Sequence, residues 1–137
     1  MKYLIFLFII ISFSSQAQVI DNKVHKLVMQ FSVGDSTEQA SVVAQAANIR
    51  ASWPKAQIEI VCHSSGLDLI IGNKTKVAKQ VADLSSQGVI FAACSNTMKR
   101  RNLKKEDLLS AAVVVPSAMV ELVTKQEEGW AYIKGAH

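Results

Sequence analysis

Three stretches of this chain, Val24–Phe31 (VHKLVMQF), Gln57–Cys62 (QIEIVC) and Val89–Ala93 (VIFAA), are strand-length, β-rich and largely apolar without strict alternation. A strand with water on one face alternates apolar and polar residues, so near-continuous apolar runs belong to strands covered on both faces. Between them lie segments of helical period. Asp35 or Ser36 can cap a helix that runs to about Trp53, with Glu38 or Gln39 placed for a capping box. Val42, Val43, Ala46, Ala47 and Ile49 form its apolar stripe, and Pro54 stops it. A short helical turn at 67–71 closes on Gly72. A second helix, capped by Thr75, passes through Val77, Val81 and Leu84 to Gly88.

Beyond Cys94 the spacing predicts a short helix over 95–101 and another turn over 104–109. A short fourth strand follows at Ala112–Val115. Pro116-Ser117 opens a third long helix over Met119, Val120 and Val123, which Gly129 ends, and Trp130–Lys134 is a last strand on an edge. Strands alternating with helices predict an α/β domain with a mostly parallel sheet of about five strands. In such sheets ligand-facing groups gather beyond the carboxyl ends of the strands. Two predicted strand ends carry residues capable of chemistry, Cys62-His63 and Cys94-Ser95-Asn96-Thr97.

The N-terminus reads as a separate unit. Lys2 precedes an almost unbroken apolar run from Tyr3 to Phe13, and Ser15 and Ala17 sit at the −3 and −1 positions of a signal-peptidase site. A run of about 11 residues is too short to span a bilayer. The expectation is a signal peptide over 1–17, a mature domain over 18–137, a periplasmic or secreted location, and no membrane association after cleavage. Of the 137 residues, 15 are basic and 11 acidic, and losing Lys2 lowers the charge from +4 to +3. That balance is too mild to argue for nucleic acid, and no aromatic residues interleave the cluster Lys99, Arg100, Arg101, Lys104 and Lys105. Half of the residues are apolar, which excludes disorder, and two cysteines exclude a disulfide-dense scaffold.

Two sets of residues carry a resemblance. Gly88-Val-Ile-Phe-Ala-Ala-Cys94-Ser-Asn-Thr97-Met-Lys-Arg100 and the turn Val61-Cys62-His63-Ser64-Ser65-Gly66 form the first. Val114-Val115-Pro116-Ser117-Ala118 and Gln126-Glu-Glu-Gly129-Trp130-Ala-Tyr-Ile133-Lys form the second. In order and spacing they resemble the DsrE/DsrF-like family across nearly the whole mature chain. The resemblance implies a three-layer α/β/α domain that assembles as a homo-oligomer, a trimer or hexamer. It also implies persulfide sulfur on the cysteine after a central strand, which is Cys94 here, and Arg100-Arg101 resembles the basic pair that follows it. The sulfur-relay members work in the cytoplasm, and the export signal departs from that pattern.

Each candidate also has a plainer reading. A thiol at a strand end, before a helical turn and near cations, has a lowered pKa and is nucleophilic as the thiolate. The alternative for Cys94 is an inert buried cysteine. Cys62 is either a buried strand residue or one half of a disulfide with Cys94, which needs Cα atoms within about 7 Å. His63 can relay a proton or simply bond the backbone of its turn. One Cys-His dipeptide and a distant Cys fall short of a tetrahedral metal site, so no metal and no cofactor are expected. Asn96 and Thr97 can offer an amide and a hydroxyl to an anion, or cap the turn. The basic residues, including Arg100 and Arg101, either form a solvated face or receive an anionic ligand or partner.

Two functions compete on these residues. One is thiol or sulfur handling through Cys94, with a donor or acceptor protein or a small thiol as partner. The other is a non-catalytic homo-oligomeric module that binds a small ligand or a partner.

Overall fold

In a computed structural model, residues 23–136 are described; the leader expected over 1–17 lies outside them. Five parallel strands form one sheet: β1 (Lys26–Phe31), β2 (Gln57–Cys62), β3 (Ile90–Cys94), β4 (Ala112–Val115) and β5 (Ala131–Lys134), in the order β4-β3-β2-β1-β5. Helices α1 (Ser36–Ser52), α2 (Ala78–Ser86), α3 (Ser95–Arg100) and α4 (Ala118–Glu127) connect them, with 3-10 turns at Ser64–Ile70 and Lys105–Asp107. The fold is a three-layer α/β/α domain with an all-parallel sheet. Among the described residues, no helix is long and apolar enough to cross a membrane.

The period of two sorts each strand's side chains between two unequal layers. Leu27, Met29, Phe31, Ile58, Ile60, Cys62, Phe91 and Ala93 point into the larger core, shared with α1, α2 and the first 3-10 turn. Val28, Val61, Ala92 and Cys94 point the other way, where Ala118 and Leu122 of α4 cover them. The reason is topological. β4 and β5 are opposite edges of the sheet, so α4 must cross the whole second face on its way between them.

Crossing that face places a charge beneath the helix. Glu59, on the central strand β2, is buried and pairs with Lys125 of α4 at 3.0 Å, and Glu121 lies 3.6 Å from the same ammonium. The ammonium also sits 4.6 Å from the centre of the Trp130 ring. Burial raises the Glu59 pKa against the pull of Lys125.

Several expected boundaries shift for identifiable reasons. β1 starts at Lys26 because pairing with β2 begins there, while His25 stacks its ring on Trp53 at 3.9 Å. Asp35 caps α1 through the Thr37 and Glu38 N–H groups. Gln39, however, makes no capping box. It is buried, donates to the Gly34 carbonyl, and accepts from the Lys76 N–H. That second bond pins the bend at Lys76, just before α2. The helix therefore begins at Ala78, and Thr75 accepts from the Val77 N–H ahead of it. On α1, Ala47 is exposed and Gln39 takes a place in the buried stripe. On α4 the expected apolar residues Met119, Val120 and Val123 face outward, and Ala118 and Leu122 face the sheet.

Candidate functional site

β3 lies between β2 and β4, so the segments leaving all three strands meet at one carboxyl edge. Their meeting place is a cleft of about 610 Å³. Cys94, Asn96 and Thr97 come from the end of β3 and α3, and His63 and Ser64 from the end of β2. Ser117, Ala118 and Met119 come from the start of α4, and Lys99 and Arg100 form the rest of the lining.

Cys94 is only 5% exposed, and it lies against this cleft. As the residue before α3 it faces that helix's unpaired amides, and its sulfur also meets the first amide of α4. The Ala118 N–H donates to Sγ at 3.3 Å. The Asn96 and Thr97 N–H groups and the Thr97 hydroxyl, close by at the start of α3, also favour the thiolate. Burial alone would raise the thiol pKa; these hydrogen bonds to the sulfur outweigh it, and Cys94 titrates below an ordinary thiol.

Thr97 is 2% exposed, and its oxygen is fully committed. It accepts from the Ser64 N–H at 3.2 Å and from Arg100 Nη2 at 3.3 Å. A hydroxyl has two acceptor sites and one proton. With both acceptor sites taken, its proton is left to support the Cys94 thiolate. Ser64 supplies its N–H from a left-handed conformation (φ 53°) at the top of the 3-10 turn. That turn packs so tightly that a Cβ on Gly66 would lie 2.4 Å from the Phe31 carbonyl oxygen.

His63 is held by a directional chain. Gln30 Oε1 accepts from the Tyr132 hydroxyl, and the Gln30 amide nitrogen is the end facing His63 Nε2, at 2.9 Å. Nε2 is then the acceptor, and Nδ1–H donates to the Ser64 hydroxyl at 3.0 Å. Burial, and secondarily the Arg100 charge, lower the His63 pKa, so the ring is neutral near pH 7.

The structure thus brings Cys94, His63, Asn96, Thr97 and Arg100 together, but not Arg101. Arg101 turns to the 3-10 turn, pairing with Asp68 at 2.5 Å and donating to the Ser64 carbonyl. Cys62 and Cys94 are free thiols that leave opposite faces of the sheet, so they do not form the disulfide considered above. Burial raises the Cys62 pKa far above the ordinary range. Among the described residues, no group of three His, Cys, Asp or Glu side chains is placed to hold a metal ion.

Sequence reasoning missed Gln30, Tyr132, Ser64 and the Ala118 amide. Gln30 and Tyr132 had no signal, being 102 residues apart in the chain. The Pro116-Ser117 helix start was visible, but not its position beside Cys94.

Among curated proteins, none matches the chain. Among solved structures, it resembles a protein of unknown function, MTH1491, from Methanobacterium thermoautotrophicum, with a TM-score of 0.76 and 31% identity. That alignment covers 80% of this chain and 98% of the other. Residues 25–134 match the DsrE/DsrF-like family, so the match takes in every strand and helix of the sheet domain and every residue lining the cleft. With sequence match and fold in agreement, the chain belongs to the DsrE/DsrF-like family.

Proposed function

We propose that this is an exported sulfur-handling protein in which Cys94 accepts a sulfane sulfur, holds it as a persulfide and passes it to a second thiol. The observation that carries the reading is the Ala118 N–H bond to the Cys94 sulfur, with the Asn96 and Thr97 donors of α3 around it, at the edge of an open cleft. Such donors favour the thiolate, which is the form that attacks. In the step itself, the Cys94 thiolate attacks the terminal sulfur of a persulfide R–S–SH. The bond between the two donor sulfurs breaks, R–S⁻ leaves, and Cys94 keeps S–SH. No external oxidant or reductant is consumed. The same donors then stabilise the persulfide anion.

The reading includes self-association. Met119, Val120 and Val123 give α4 an apolar outer face, with Val120 62% exposed, and Met119 also borders the cleft. A soluble domain seldom leaves such a stripe uncovered, and a second copy packed there would wall the cleft. Sedimentation of the wild type and Val120→Glu tests this: the variant is expected to fall to monomer, and a wild-type monomer would remove the claim.

The sulfur step is tested by incubating the folded protein with a sulfane-sulfur donor and weighing it intact. The wild type and Cys62→Ser are expected to gain the mass of one sulfur, which reductant removes, and Cys94→Ser to gain nothing. Uptake that survives in Cys94→Ser would overturn the proposal. So would the absence of uptake in the wild type, which would leave a binding module.

A further inference from the structure

The basic run 99–101 is divided by its surroundings. Arg101 is neutralised by Asp68, just as Lys125 is neutralised by Glu59 on the other side of the sheet. Lys99 and Arg100 line the cleft, and among the described residues neither is paired with a carboxylate. Arg100 donates to the neutral Thr97 hydroxyl, which leaves its charge uncompensated.

The rest of the lining adds donors and no acid. Among the described residues around the cleft there is no Asp or Glu. Because the Tyr132–Gln30–His63 chain aims the His63 Nδ1–H at the Ser64 oxygen, the Ser64 hydroxyl proton is free to donate elsewhere. Two uncompensated cations and a donor-rich wall focus a positive potential into a concave site. At about 610 Å³ the cleft is in the range that small molecules occupy.

We infer that the sulfur compound admitted to Cys94 is a small anionic thiol or persulfide, whose carboxylate or sulfonate is held by Lys99 and Arg100. The inference rests on the reading of Cys94 as a sulfur-carrying thiol and names the substrate class for it. The acid group of R takes no part in the bond exchange described above. It places the terminal sulfur of R–S–SH against the Cys94 thiolate, and the departing R–S⁻ leaves through the same positive field.

Two alkylating reagents of nearly equal size separate the two claims. Iodoacetamide is neutral and iodoacetate anionic, and both report on the same thiolate. Their rates at Cys94 are measured in the folded protein by peptide mass, and their ratio is divided by that for N-acetylcysteine amide. The normalised preference for iodoacetate is expected to exceed about tenfold at low ionic strength. It should collapse in about 1 M salt, where the Debye length is about 3 Å. Lys99→Gln and Arg100→Gln should each lower it several-fold. Lys79→Gln, which removes the same charge from an exposed site on α2 outside the cleft lining, should not.

A normalised ratio near one overturns the inference while leaving the thiol reading intact. An equal fall in Lys79→Gln also overturns it, because net charge rather than the cleft would be responsible. Failure of Cys94 to react with either reagent removes the thiol reading, and the inference falls with it.

Discussion

Cys62 and Cys94 end adjacent parallel strands at the same edge of one sheet, yet they occupy opposite chemical worlds. Cys62 points into the thick layer under α1, α2 and the 3-10 turn, where its Sγ has only a long contact of 3.8 Å to the Ile60 carbonyl. Cys94, one strand over and one residue further along, points to the thin layer that α4 covers alone. There its sulfur meets the open amides of two helix starts. Neither side chain is more than 5% exposed, but Cys62 lies deep in the core while Cys94 borders the cleft, so burial presses harder on Cys62. Hydrogen bonding to the charged form widens the difference; a close-packed apolar core does not provide it and a pair of helix N-termini does.

The sharpest way to break this contrast is to compare the two thiols in one native sample. Cys62 can react only when the core opens, so its alkylation should trail that of Cys94 by at least about a thousandfold. Comparable rates, resolved by peptide mass, would erase the distinction. Next in size is the support under α4. Lys125→Met leaves the Glu59 carboxylate buried without its partner and is expected to cost about 3 kcal/mol in denaturant unfolding. Glu59→Leu combined with Lys125→Met should recover most of that. A single variant as stable as wild type would show that the pair does not hold the thin layer.

A smaller effect is expected at Thr97. Thr97→Val strands the Ser64 N–H, for about 1–2 kcal/mol, and removes the hydroxyl donor to Cys94, so the alkylation midpoint should move up in pH. Thr97→Ser keeps the hydroxyl and should restore the midpoint; a Val variant with unchanged titration would contradict the role given to that proton. Smallest is the His63 contribution. Its folded pKa lies below the ordinary value of about 6.5. The unfolded chain therefore takes up more protons in the window between the two pKa values, and stability should rise with pH there. His63→Asn should flatten that slope, and an unaltered slope would assign it to another group.

Much of the fold was legible because the signals were local. The apolar runs located β2 and β4 at their observed bounds, and Asp35 and Pro54 bracketed α1. Cys94 at a strand end was legible for the same reason. Strand order was not, because it depends on which apolar surfaces meet across long stretches of chain, and it is strand order that seats Ala118 and Ser64 beside Cys94. Gln39 shows a second limit. Its sequence position suits a cap, but a partner 37 residues away claims its side chain. In α4 the apolar residues were visible while their direction was not, since Leu122 and the Lys125–Glu59 pair decide which side faces the sheet.

The most direct test of the account is the pH dependence of iodoacetamide alkylation at Cys94 in the folded wild-type protein. The donors on its sulfur predict a midpoint below the value of about 8.5 expected for an ordinary thiol. A midpoint at or above that value would mean that burial outweighs the hydrogen bonds. Cys94 would then be a buried core thiol like Cys62, and the cleft beside it would need another purpose.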